Sequence, residues 1–316
     1  MLTIRKIGGL VILAALLMSH AFAETGTGNY VFSLYPNIGF LYGQAKEIVY
    51  KDPPYQYLSL SELYWDLKPL VYAGLDADFT PVNHSGKRGF ISALSFKAGL
   101  PIKTGIIEDL DWINADYITH YSRHNAYSKT AFLLDISAGY FWRFSDSLAL
   151  SAYGEFSYMH FSWSATDGYS QHSVYFPWNS DLPKSYYTGE VLRYKQDWLI
   201  VTPGVSLGWD INNLFSMKAH FNYSPLIYCA DRDDHLLTKT TYLDYLYFGH
   251  YFKSGGEFAF SVSEKTGLSL SLSHKYITGT RGYTIYKSSR FDDGAGAGYL
   301  AIDLGLAVEF RLTGRD

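Results

Sequence analysis

Leu268-Ser-Leu-Ser-Leu-Ser-His-Lys-Tyr276 places Leu268, Leu270, Leu272 and Tyr276 on one side of an extended chain and Ser269, Ser271, Ser273 and Lys275 on the other. Successive side chains of a strand point to opposite faces, so a period of two is the mark of a β-strand. The segment Leu300-Ala-Ile-Asp-Leu-Gly-Leu-Ala-Val-Glu-Phe-Arg-Leu312 repeats the pattern, with Asp303, Glu309 and Arg311 on the face opposite the leucines. Phe258, Phe260 and Val262 oppose Glu257 and Ser261, while Phe215, Met217, Phe221 and Tyr223 oppose Ser216, Lys218, His220 and Asn222. Similar alternation runs around Phe32 to Tyr42, Phe90 to Leu100, Leu134 to Trp142 and Leu148 to Tyr158.

A soluble sandwich alternates too, with its apolar face inward, so the period alone does not separate it from a membrane barrel. Three features favour the barrel. The alternating runs are ~10 residues or longer, against the ~5–6 of ordinary sheets, and suit a tilted crossing of a bilayer. The connections are short at Pro81 to Lys87, Ser145 to Ser147, Asn212-Asn213 and Glu264 to Gly267, but long and polar at Trp112 to Lys129 and Ala165 to Leu192. That is the contrast between periplasmic turns and external loops. Aromatic residues gather toward the ends of runs, as in Tyr140-Phe141-Trp142 and Phe161-Ser162-Trp163, where interfacial girdles form. The expected fold is all-β, a transmembrane antiparallel up-and-down barrel of about ten strands with long external loops. The strands fall near 30–50, 56–80, 88–112, 130–144, 147–165, 193–210, 213–235, 247–263, 267–280 and 297–312.

Composition removes several function classes. With 47% apolar and 18% charged residues the chain is not of the disordered class. Its 26 basic residues against 30 acidic ones leave no excess to neutralise phosphates, so no nucleic-acid partner is expected. A lone cysteine excludes a disulfide framework and a cysteine zinc site. No phosphate loop, serine elbow or zinc motif is present, and neither metal nor cofactor is expected. Arg5 and Lys6, the apolar run Ile7 to Met18 and Ala21-Phe22-Ala23 have the plan of a secretory signal peptide over residues 1–23. The run is shorter than the ~20 residues a spanning helix needs. Residues 24–316 are then a single outer-membrane barrel domain.

With an even strand count and short turns in the periplasm, the C-terminal ends of odd strands lie on the external rim. Asp109-Leu-Asp111-Trp112 ends the third strand, and Asp231-Arg-Asp233-Asp234-His235 ends the seventh. Residues i and i+2 share a face, so Asp109 points with Asp111, and Asp231 with Asp233 and His235. One reading is hydrolytic: Asp233 orients His235 as a base for water, while Asp109 and Asp111 hold that water or share a proton. The same acids also read as a solvated rim or a calcium site, although no EF-hand spacing is present. Cys229 reads as a packing residue, since acidic neighbours disfavour a thiolate. His160, His220 and His274 read as isolated strand residues, and Tyr175-Phe-Pro-Trp178 as a packed or substrate-contacting loop.

On these motifs the chain resembles the omptin family of outer-membrane proteases. Asp109-x-Asp111-Trp112 is similar to the family's first Asp pair, and Asp231-x-Asp233-x-His235 to its D-x-D-x-H segment. Ser122-Arg123-His124, Gly43-x-x-Lys46-Glu47-x-Val49-Tyr50 and Tyr194-Lys195-Gln196 add to the likeness. The resemblance implies a dyad of Asp233 and His235 that activates water, with Asp109 and Asp111 opposite, and an acidic pocket of Glu47 and Asp231 that selects Arg or Lys. The implied partners are peptides or proteins with basic residues, and the implied location is the outer membrane with the active site toward the exterior. The chain departs from the family at Ile118, His120 and Asn125, on the far side of the groove. The resemblance also implies arginines that bind lipopolysaccharide phosphate, but His160 and Asp197 stand at the matching positions, and an Asp there repels phosphate. Two other functions fit the same barrel: a non-catalytic adhesin or surface-binding protein on an omptin scaffold, and, less well given the narrow lumen of ten strands, a porin.

Overall fold

A computed structural model describes residues 30–51, 58–81, 88–113 and 116–313; the expected signal peptide lies outside them. All regular structure in this range is β: β1 Tyr30–Tyr50, β2 Ser59–Pro81, β3 Arg88–Gly99, β4 Lys103–Asp111, β5 His120–Arg143, β6 Leu148–His172, β7 Ser185–Asp210, β8 Phe215–Ser224, β9 Ile227–His235, β10 Thr240–Tyr247, β11 Tyr251–Ser261, β12 Thr266–Ile277, β13 Arg281–Tyr286 and β14 Ser289–Thr313. Every pairing is antiparallel. β3 and β4 form one interrupted span, as do β8 with β9, β10 with β11, and β12 with β13. Ten spans result, and β14 pairs with β1 from Val31↔Thr313 to Val49↔Ala295, closing the sheet into a ring. Closure removes the unpaired edges that a bilayer could not satisfy.

The alternation seen in the sequence is an inside-out pattern. Leu268, Leu270, Leu272, Ile302, Leu306, Val308, Phe310 and Leu312 are exposed on the outer wall, whereas Ser269, Lys275, Asp303 and Glu309 are buried within. Inside, Lys253 Nζ lies 3.2 Å from Asp135 and 2.9 Å from Glu155, and Lys275 lies 3.4 Å from Asp135. Lys97 pairs with Asp303 at 2.5 Å, and the Tyr72 hydroxyl donates to the same carboxylate at 2.5 Å. This ionic layer satisfies charges that the lumen could not otherwise bury. A polar cavity of about 250 Å³ lines up with it.

Tight turns close one end: Phe144 N–H donates to Leu148 O at 2.9 Å, Ile211 N–H to Phe215 O at 3.0 Å, and Val262 N–H to Thr266 O at 2.9 Å. At the other end the strands run on. The segments expected as long loops are largely strand, since β5 begins at His120, β6 continues to His172 and β7 starts at Ser185. Neither face of these extensions meets lipid, so the apolar period that marks a crossing strand is missing there. Outward positions at this height include the charged residues Lys46, Glu62, Glu108, Arg123, Arg193, Lys195 and Arg232. The barrel therefore stands clear of the apolar band at this end.

One break decides what the upper barrel presents. In β8 the odd positions Met217 and Phe221 face outward and are exposed, and unbroken alternation would place Asp231 and Asp233 on that same face. The register against β7 shifts from Gly204↔Asn222 to Ile200↔Ile227. Such a one-residue slip turns every later side chain to the opposite face. Pro225 has no N–H to continue the ladder. Ser224 Oγ replaces it, accepting from Leu226 N–H at 2.8 Å and donating to Val201 O at 2.5 Å. Above the break the odd residues Cys229, Asp231 and Asp233 point inward and are buried.

Candidate active site

The groove at the open end is built from β1, β2, β4 and β5 on one wall and β7, β9, β10 and β13 on the other. On the first wall, Gly105 adopts φ 130°, a conformation that favours glycine. It marks the irregularity where β4 begins to pair with β5. Asp66 accepts the Ile106 N–H at 3.1 Å and so fixes the start of β4. Asp109 and Asp111 then face the groove together. Ser61, beside Asp111 in the β2 register, donates its hydroxyl to Asp109 Oδ1 at 3.0 Å and also hydrogen-bonds Asp111. Sequence reasoning missed Ser61, because serines recur on many inward faces of this barrel, as at Ser33, Ser157, Ser206 and Ser269, and none is distinctive.

On the second wall, His235 Nε2 meets Asp233 Oδ2 at 2.5 Å. Asp233 is buried at 2% exposure, while His235 keeps part of its ring open to the groove. The carboxylate holds Nε2, so Nδ1 is the ring nitrogen left for other chemistry. The two walls are electrostatically joined, since Asp109 feels both His235 and Asp233. The structure thus brings together Asp109, Asp111, Asp233 and His235. Glu47, buried at 3% exposure on β1, and Asp231, buried at 5% on β9, lie beside them.

Burial dominates the protonation of this cluster. It pushes Asp109 up to about 8, and the charge of Asp111 adds to the effect. Asp111 is raised by burial against the pull of Ser61 and the nearby histidines. Burial also raises Asp233, outweighing the stabilising contact with His235. Burial alone would lower His235, but the hydrogen bond and charge of Asp233, then Asp109 and Asp111, lift it above its ordinary value. A base held in reach of carboxyls that differ in protonation can accept a proton on one wall while a neutral carboxyl donates on the other.

Beneath the acids lies a layer of buried rings. Trp65 stacks on Tyr194 at 5.4 Å between centroids, Phe161 on Trp163 at 5.3 Å and Phe161 on Tyr299 at 5.4 Å. Burial of each ring stabilises by ~2–3 kcal/mol, and each stacked pair adds ~1 kcal/mol, so the floor is stiff. It also fixes Asp231. The Tyr194 hydroxyl donates to Asp231 Oδ2 at 2.9 Å, Gln196 Nε2 donates to that hydroxyl at 2.8 Å, and Trp198 Nε1 donates to Gln196 Oε1 at 3.1 Å. The Tyr194-Lys195-Gln196 match in the sequence gave no hint of this relay. Asp244, buried at 3% exposure and paired in register with Asp231, was also missed. Its signal was present as a lone acid among the inward Tyr242 and Leu246.

On the far side of the groove, His120 and His172 are register partners beside Asp111, with ring centroids 4.4 Å apart. Cys229 is buried at 0% exposure, as a packing residue would be. His160 and Asp197 lie on the outer wall. There His160 Nδ1 meets Asp197 at 2.7 Å, the Tyr158 hydroxyl donates to Asp197 at 2.6 Å, and Lys195 stands 3.5 Å away.

Comparison with known proteins agrees with this architecture. The model of the Omptin family matches residues 29–312. Among solved structures, the outer membrane protease OmpT from Escherichia coli superposes with a TM-score of 0.79 at 17% identity, covering 92% of this chain and 100% of that one. The toluene transporter TodX from Pseudomonas putida reaches a TM-score of 0.36 at 9% identity, covering 92% and 91%, too distant to bear on the site. No curated protein sequence matches.

Proposed function

The chain belongs to the omptin family of outer-membrane proteases, and on that premise we propose that it is an endopeptidase cutting exposed peptides at basic residues through a water activated by Asp233 and His235. The observation that carries this reading is the meeting of the His235–Asp233 pair with the Asp109–Asp111 couple across one groove. A peptide lies between the walls with its carbonyl near the water. His235 Nδ1 takes a proton as the water oxygen attacks, and Asp233 stabilises the imidazolium that forms. Asp109 and Asp111 hold the water and steady the developing oxyanion through the carboxyl that remains protonated. The C–N bond breaks as His235 returns its proton to the leaving amine. Glu47 and Asp231 receive the cationic side chain before the cleaved bond, in a desolvated pocket where charge-assisted hydrogen bonds are strong. The groove opens to the cell exterior, opposite the tight turns. The Asp197 cluster on the outer wall makes activity independent of lipopolysaccharide phosphate.

The test is digestion of a diverse peptide library by refolded protein. Cuts are expected after Arg or Lys, and Asp233→Ala or His235→Ala should each lower kcat by ~10²–10⁴-fold. Full activity in both variants would refute the assignment. A properly folded barrel that cuts nothing in the library would instead support a binding or adhesive role.

A further inference from the structure

Asp231 and Asp244 form an unusual pair. They sit opposite one another on β9 and β10, both buried, with their carboxyls in hydrogen-bonding reach of each other. Asp231 Oδ2 accepts from Tyr194 at 2.9 Å, and Asp244 accepts from Thr284 on β13. The second oxygens, Asp231 Oδ1 and Asp244 Oδ1, have no N–H or O–H donor among the described residues, nor does Glu47 Oε2. The remaining neighbours do not supply a cation. Tyr194 and Gln196 on β7 are neutral, with the Gln196 amide already donating to Tyr194 and to Lys46 O. Asp233 is matched by His235, Cys229 lies below on β9, and Glu47 faces the pair from β1 with Asp109 beyond it. None of the ion pairs among the described residues involves Glu47, Asp231 or Asp244.

Two touching carboxylates cannot both stay ionised in a desolvated place, so they hold either one proton or one cation between them. We propose that Asp244 is a third specificity-determining residue of the basic-residue pocket, and that a guanidinium or ammonium side chain enters by displacing the proton that Asp231 and Asp244 share. This rests on the assignment of Glu47 and Asp231 as the cation pocket. On entry, N–H groups of the cation donate to the two unpartnered Oδ1 oxygens and to Glu47 Oε2, the Glu47 carboxyl keeps its own proton, which burial favours, and one proton leaves the Asp231–Asp244 pair to solvent. The pair therefore separates charged from neutral side chains in two ways. A cation replaces the proton in kind, whereas a neutral isostere such as citrulline leaves the proton in place and gains nothing from it. Burial holds Asp244 up at about 6 and Asp231 well above its ordinary range, so a proton is available to exchange near neutral pH.

Calorimetry with argininamide, which cannot be cleaved as a peptide, reads this directly. Titrations at pH 7 in two buffers of different ionisation enthalpy should show close to one proton released per argininamide bound to the wild type. In Asp244→Asn the amide permanently occupies the place of the proton, and in Asp244→Ser the second carboxyl is gone. Both should release almost no proton and bind about 10-fold or more weakly. Absence of proton release in the wild type, or undiminished affinity in both variants, overturns the proposal. Cleavage after Arg with these results would overturn the proposal and leave the protease assignment standing. Proton-coupled, Asp244-dependent binding without any peptide cleavage would do the reverse.

Discussion

Replacing Asp109 by Asn should make the barrel more stable while it makes the site worse. The folded protein holds Asp109 at about 8 through burial and the charge of Asp111, whereas in the unfolded chain it titrates near 3.9. At pH 7 folding must therefore take up a proton. Each unit between the unfolded value and the working pH costs about 1.4 kcal/mol, so the interval from about 3.9 to 7 sets an upper bound of ~4 kcal/mol. Asp109 keeps some solvent access at the groove, which screens the penalty, and about half of the bound, ~2 kcal/mol, is the expected effect. The direction follows from the raised value. Nothing is lost below about pH 4, the cost grows as pH rises, and it levels off above about 8. Asn is neutral throughout, and its Oδ1 can still accept from Ser61, which now donates at 3.0 Å. Urea unfolding of refolded protein in detergent micelles, followed by tryptophan fluorescence at several pH values from 5 to 8, measures the difference. The advantage of Asp109→Asn should widen by ~1 kcal/mol or more between pH 5 and 7. A gap that stays constant with pH, or a variant less stable than wild type at pH 7, would show that Asp109 is not held protonated.

Two further outcomes are expected. Because His235 must be neutral to accept a proton and is held above its ordinary value, kcat/KM should rise with pH through a midpoint above about 6.5; a midpoint near 6 or below would remove His235 as the base. Because Asp197 is paired with His160 at 2.7 Å on the outer wall, adding lipopolysaccharide to detergent-refolded protein should leave kcat/KM unchanged within about 2-fold, and stimulation by an order of magnitude would contradict this.

Much of the barrel was legible because lipid imposes a simple rule on each crossing strand. From Leu268 to Tyr276 and from Leu300 to Leu312 the apolar side faces out without exception to the period. The acid pairs were legible too, since i and i+2 share a face whichever face it is. The sign of that face was not. Asp231, Asp233 and His235 have the same parity as Met217 and Phe221, and only the shift around Ser224 to Leu226 turns them inward. That shift rests on a proline and a serine hydroxyl, which a hydropathy pattern does not register. Asp244 escaped notice for a different reason: its meaning comes from Asp231 across the ladder, and pairing partners on separate strands carry no mark in the sequence. The strand extensions from His120 and to His172 were hidden because polar residues stand on both of their faces, buried ones such as Ser170 and Gln171 included, and no apolar period marks them.

The buried rings and the ionic layer of Lys253, Asp135 and Glu155 below them set packed side chains and paired charges across the lumen beneath the groove. If the groove cuts peptides as proposed, a floor of this kind sends both fragments back past the entrance, in competition with the next arrival.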